Sequence, residues 1–413
     1  MNIWLIQDGE PLPSVDIGDR EMRCCTLAKA LTSKGHNVLW WASTFDHFRK
    51  RHRFPGPVTI DVLPNFHLRL LHGPGYPANQ SFKRFIHQRA IARAFAAEAA
   101  GVAPPDLIVG NIPFPELAEQ AVILGKKWSI PTVVYVEDCW PDIYLSVFPA
   151  VLRGLGRFLF RSEFKRITKV FSLASSIVAV SNTYLNWALK YSGRSRGNAD
   201  RVFPLGYPVP IENVDKSKGQ AILSELGISL DKILITFVGG FGFSYDLETI
   251  VRAAQVLGSR GVNDVQFLLV GDGDQGPHLR AMAQGSENIK FTGWLDQNAI
   301  QSILGVSSVA LASYHERATQ TLPNKPFEYM AAGLPILSSL NGELRELIES
   351  EGIGVYYKSG DVDSLIAAVS SLIARPEARL DMGKKARRLF DDRYSAEVIY
   401  PKIVRHLESL IST

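Results

Sequence analysis

Short apolar runs alternate with helically spaced segments along this chain, and the alternation breaks once and starts again. Ile3–Ile6 reads as a buried strand, followed by a Gly- and Pro-rich loop from Asp8 to Gly18. Asp19 to Ser33 then carries helical spacing, with Met22, Leu27, Ala30 and Leu31 apolar and Gly35 as the stop. Further strands are expected at Asn37–Trp41, Leu107–Val109, Thr132–Val136 and Ser176–Val180. The break lies between Pro204 and Lys218. Beyond it come strand Ile233–Val238, helix Leu247–Leu257 and strands Gln266–Val270, Ile289–Phe291, Val309–Ala312 and Ile336–Ser338. Such an order predicts an α/β chain with two Rossmann-like domains facing a cleft, each a parallel sheet covered by helices. The expected bounds are 1–205 and 206–395, and 413 residues suit two domains. Ligands of such sheets sit outside the C-terminal strand ends.

Composition narrows the function classes. A net charge of +4 is small for this length and does not argue for nucleic acid. Three cysteines, Cys24, Cys25 and Cys139, give neither a disulfide framework nor zinc spacing. Cys24 and Cys25 are expected on one buried helix, and a reducing cytosol fits them. The apolar run at Met1–Asp8 is too short for a signal peptide, and no run reaches the ~18 residues of a membrane span. The expectation is a cytoplasmic protein, soluble or peripheral on the inner face of the membrane.

The stretch Thr321–Ile336 carries the most chemistry. Pro323 and Pro326 precede a helical run ending at Gly333, and Pro335 turns the chain into strand Ile336–Ser338. Lys325 and Glu328 therefore stand near a helix N-terminus, whose free N–H groups and positive dipole suit a phosphate. Glu328 can accept two hydrogen bonds from a ribose diol. A helix that holds ribose and phosphate together grips a nucleotide sugar.

Lys325 to Ile336 resembles the donor-binding signature of retaining GT-B glycosyltransferases, family four in particular, in the setting of bacterial surface-polysaccharide biosynthesis. The resemblance implies transfer of a hexose-type sugar from a nucleotide sugar, UDP-linked first and GDP-linked next, with no metal and no further cofactor. The acceptor would be lipid-linked or an oligosaccharide. It implies an acceptor-side first domain, with the helix at about 396–413 packing back on it, and a donor-binding second domain. The family has an acid eight positions before the ribose Glu. That position is Gln320 here, and Glu316 is the nearest acid upstream, so the first acid is either Glu316 or replaced by Gln320. Asn324 belongs to the same signature.

The loop Val238–Gly242 resembles the family's phosphate loop, with Gly240 and Phe241 on the donor side; a simple tight turn reads the glycines equally well. Many relatives have Arg and Lys where this chain has Gly240 and Tyr245, which leaves Lys325 as the best cation for the diphosphate and Arg317 as a second. Gly293 and Trp294 would lie along the base, or Trp294 is a core or hinge aromatic. In the first domain Asp138 is the expected polar contact to sugar or acceptor, with Glu137 as the alternative and a helix cap as the bland reading. Gly18 and Arg20 would face the acceptor, while Asp19 alone would cap a helix.

Arg153, Arg157, Arg161, Lys165 and Lys169 recur every fourth residue among Val151, Leu152, Leu155, Phe158, Leu159, Phe164 and Phe171. This reads either as a basic amphipathic ridge for an anionic membrane or as a solvated helix face. Phe82, Lys83, Arg84, Phe85, His87, Arg89 and Arg93 form a second basic and aromatic stretch. Two other functions remain open at this point, a nucleotide-sugar 2-epimerase of the same fold and a non-catalytic nucleotide-sugar-binding module.

Overall fold

A computed structural model describes the chain except for Arg20, Gln80, Ser146, Val147, residues 210–214 and residues 412–413. The chain divides into two compact units, Met1–Pro204 with Ile399–Thr413, and Leu205–Val398.

The first unit is built on an eight-stranded sheet. Its strand order is Arg201–Val202, Ser176–Ala179, Thr132–Val136, Leu107–Ile112, Asn2–Ile6, Asn37–Ser43, Phe66–Leu71, Val58–Leu63. All neighbours are parallel except Val58–Leu63, which runs antiparallel to Phe66–Leu71 at the edge. The interior strands are continuous apolar runs because both faces are covered by helices. Strand order reverses between Asn2–Ile6 and Leu107–Ile112, so the crevice of this sheet opens beyond those strand ends. The last helix, Ala396–Ser409, buries Ile399, Ile403 and Leu407. Within the first unit, Glu408 takes His36 at 2.9 Å and His406 meets Ser176 at 3.2 Å.

The second unit has a six-stranded parallel sheet ordered Ile289–Gly293, Val265–Val270, Ile233–Val238, Val309–Ala312, Ile336–Ser338, Gly354–Tyr356. Its order reverses between Ile233–Val238 and Val309–Ala312. Helix Asn324–Ala331 leads into this sheet. Gly333 ends it in the left-handed region (φ +69°), with Gly333 N–H on Met330 O and Leu334 N–H on Tyr329 O.

Two local expectations need correction. The first helix begins at Arg23, not Asp19. Asp19 does not cap it, because both carboxylate oxygens accept from Arg49, each at 2.7 Å. The segment from Val151 to Phe171 is not one helix. A short turn at Ala150–Leu152 precedes helices Arg153–Leu159 and Arg161–Leu173, which break at Phe160. Phe164 and Phe171 belong to the core. Arg166 is held among Glu116, Glu119 and Glu163, and Lys169 pairs with Glu119 at 3.1 Å. Arg153, Arg161 and Lys165 stay exposed, and Arg157 bonds Tyr191 Oη at 2.8 Å.

Candidate active site

The second unit gathers its polar groups at its switch point. Strand Ile233–Val238 ends in Gly239, whose N–H bonds Val270 O at 2.9 Å. Lys325, on the first turn of helix Asn324–Ala331, donates from Nζ to Val238 O. A Cβ on Gly239 would displace that ammonium, and its φ of +148° favours glycine there. Lys325 Nζ stands 4.9 Å from the ring centroids of both Phe237 and Tyr245. Tyr245, where relatives have a cation, thus holds one by cation–π attraction, worth about 0.5–2 kcal/mol.

One helical turn on, Glu328 Oε1 accepts from Tyr207 Oη at 2.7 Å. Tyr207 is fixed in turn: its N–H bonds Tyr394 O at 3.1 Å, its O accepts from Ala396 N–H at 2.8 Å, and its ring is buried. The carboxylate is oriented by one donor and retains lone pairs for others.

Gly240 stands beside Trp294, whose Cη2 would be 3.9 Å from a Cβ there. Trp294 is 71% exposed, so it is not a core aromatic. It follows Gly293, whose φ of +72° and O accepting from Gly271 N–H fix the loop. Phe241 departs from its expected donor-side place. Its ring is fully buried between Phe237 and Phe291, its N–H goes to Asp272 O, and its O accepts from Gln275 N–H. It anchors the loop and offers a ligand no polar group. Asn324 and Glu316 are exposed; Gln320 is half-buried, with Oε1 unpartnered among the described residues.

In the first unit Asp138 and Glu137 follow strand Thr132–Val136 and diverge. Asp138 organises its own loop, accepting from Cys139 N–H at 2.8 Å and Trp140 Nε1 at 3.0 Å. Burial raises its pKa, against those two hydrogen bonds. Glu137 turns into a buried cluster, 3.6 Å from Arg23 Nε and accepting from Asn111 Nδ2 at 3.3 Å. Glu10 enters the cluster from the loop after Asn2–Ile6 and accepts from Cys24 N–H at 3.0 Å. Burial first, then Glu137, pushes Glu10 up to about 8. Arg23 lies 3.9 Å over the Tyr135 ring. A cavity of about 10 Å3 is lined by Gln7, Arg23, Asn111 and Tyr135, room for about one water. Around it Gln7 Oε1, both Arg23 Nη atoms and Tyr135 Oη are buried without partners among the described residues.

Gly18 is exposed at φ +88°, with open space where a Cβ would go. Arg20 lies outside the described residues. Tyr207, Glu10 and Arg23 escaped the sequence reading. Only Arg23 carried a signal, a cation at the apolar start of a helix.

Residues 21–203 match the family model described as Glycosyltransferase Family 4, and residues 232–375 match that described as Glycosyl transferases group 1. The amylovoran biosynthesis glycosyltransferase AmsK of Erwinia amylovora is 25% identical over 170 residues, 40% of this chain. The match spans 42% of that relative's length, less than half of it. Sucrose-phosphate synthase of Thermosynechococcus elongatus aligns with a TM-score of 0.74 at 20% identity, over 100% of this chain and 99% of that one. HepE of Anabaena, solved in complex with UDP-glucose, aligns with a TM-score of 0.66 at 15% identity, over 99% and 100% of the two chains. At these identities the structural likeness shows the fold.

Proposed function

Since the chain belongs to the family-four glycosyltransferases, with two Rossmann-like domains in the GT-B fold, we propose that it moves a hexose-type sugar from a nucleotide sugar to a lipid-linked or glycan acceptor, retaining anomeric configuration and needing no metal. The observation that carries this reading is the helix bearing Lys325 and Glu328 at the switch point of the second sheet. Glu328, oriented by Tyr207, takes the ribose hydroxyls. Lys325 and the Gly240 N–H meet the charge that grows on the leaving diphosphate, and that stabilisation of the transition state speeds the reaction. The acceptor oxygen bonds the anomeric carbon on the face the diphosphate leaves. The carbon–oxygen bond to the diphosphate breaks, and the acceptor proton passes to the departing phosphate.

The UDP-glucose bound by HepE supports uridine as the base, with guanosine next. The likeness to AmsK, an amylovoran biosynthesis glycosyltransferase, supports assembly of a surface polysaccharide. Among the described residues no helix is long and apolar enough to cross a membrane. Val151, Leu155, Phe158 and Leu159 are nevertheless exposed beside Arg153, Arg157 and Arg161. This favours peripheral docking on an anionic membrane face, at about 1 kcal/mol per cation.

The test is a panel of UDP-, GDP- and dTDP-sugars with membrane lipid extract and EDTA, following nucleotide release and label transfer. Lipid-dependent transfer from one donor is expected. Nucleotide release with no acceptor-linked product would move the assignment to an epimerase, and binding with neither would leave a non-catalytic module.

A further inference from the structure

Helix Phe82–Ala99 begins on Ser81, whose Oγ accepts from Lys83 N–H at 3.2 Å, and its first turn holds no acid. Arg84, one residue further, is only 9% exposed, yet its Nε has no partner among the described residues. Its Nη1 makes one long bond, 3.4 Å to Asn79 O. Its guanidinium lies 4.9 Å from the Trp140 ring centroid and 6.0 Å from that of Tyr76. Lys50 Nζ approaches the same Tyr76 ring at 5.0 Å and donates to Asn79 Oδ1 and His47 O.

Neither cation forms an ion pair with a carboxylate among the described residues, although Asp46 acts on Lys50 and Asp138 on Arg84 from further off. Their neighbours are different. Arg49 and Arg53 take up Asp16, Asp19 and Asp46. Asp8 spends Oδ1 on Ser43 N–H and turns Oδ2 toward His87 at 3.9 Å. Burial first, then Arg84, lowers the Lys50 pKa; burial, then Lys50 and Arg84, pushes His47 down to about 4. Two cations that repel each other in a half-buried place, at an acid-free helix N-terminus, form a ready seat for an anion.

We propose that Lys50 and Arg84 seat a phosphate or diphosphate group carried by the acceptor, between the rings of Tyr76 and Trp140. The inference rests on the glycosyltransferase reading for the word acceptor, but not for the anion site. Arg84 supplies directed N–H donors and Lys50 a point charge.

The test is calorimetric titration of inorganic pyrophosphate into the whole chain, its donor site filled with UDP, for wild type, Lys50→Gln and Arg84→Lys. Lys50→Gln should bind pyrophosphate about tenfold more weakly, and Arg84→Lys by a similar factor, with unchanged thermal midpoints. Should Arg84→Lys not fold, Lys50→Gln alone decides. Equal pyrophosphate affinity in wild type and Lys50→Gln overturns the proposal. Failure of the donor reading shows separately, as no heat in the preceding UDP titration, and leaves the comparison between chains valid. A second arm replaces pyrophosphate with geranyl diphosphate. Affinity about tenfold above pyrophosphate assigns the phosphate to a lipid-linked acceptor. Equal affinity, still lost in Lys50→Gln, assigns it to a soluble phosphorylated acceptor.

Discussion

The two sheets each carry a polar cluster where their strand order reverses, and the clusters are built in opposite ways. In the second unit, Lys325 rests on a backbone carbonyl and two aromatic faces, and Glu328 on one phenol. Those charges are oriented but remain half-exposed. In the first unit, Glu10, Arg23 and Glu137 are drawn inward, and Arg23 also lines a cavity of about 10 Å3, where Gln7 Oε1, both Arg23 Nη atoms and Tyr135 Oη lack partners among the described residues. The second arrangement suits a ligand that arrives and leaves. The first suits a bound water and a stored proton beneath the crevice, because Glu10 at about 8 is mostly protonated at neutral pH and leaves Arg23 facing one carboxylate, Glu137.

The largest effect should come from Lys325→Ala. Loss of a charge acting on the leaving diphosphate should lower kcat by about a hundredfold to a thousandfold while donor KM changes far less. Steady-state kinetics on the donor identified by the panel check this. A raised KM with kcat intact would make Lys325 a binding residue only, and the two clusters would differ less than argued.

The buried cluster is tested by pH. Glu10 has a folded-state pKa above its ordinary value of 4.5. Its contribution to stability is therefore full below the unfolded value and is lost as pH rises toward about 8. Glu10→Gln, a mimic of the protonated form, should gain on wild type steadily between pH 5 and 8, by about 2–4 °C for each kcal/mol relieved. Thermal melts across that range check it; a gap independent of pH would mean that Glu10 is not the titrating group.

The smallest effect distinguishes a held carboxylate from a free one. Tyr207→Phe removes one hydrogen bond to Glu328 and should weaken donor binding by about two- to tenfold, roughly 1 kcal/mol. No change would show that Glu328 needs no orienting partner.

How far each region was legible in the sequence follows from the same contrast. Both sheets and most of their strands could be read because parallel strands are unbroken apolar runs. Helix Asn324–Ala331 could be read because its prolines, Gly333 and Pro335 lie within one short stretch. Tyr207 could not, since it meets Glu328 from 121 residues away through tertiary packing alone. Glu10, Arg23, Asn111 and Glu137 come from four separate segments, and nothing local marks them as neighbours. The start of the first helix is hidden in sequence because Asp19 has the chemistry of a cap, and only the fold reveals Arg49 as its partner. The basic ridge is overlong in sequence for the same reason: Lys169 looks solvated until Glu119 is folded against it.

The most direct test of the account is calorimetric titration of UDP, then GDP, into wild type and Glu328→Ala. The account predicts that the nucleotide wild type prefers binds Glu328→Ala about ten- to a hundredfold more weakly, as expected for two hydrogen bonds to a charged group. Equal affinity in the two proteins would remove Glu328 from the ribose and contradict the reading of the second unit as the donor grip.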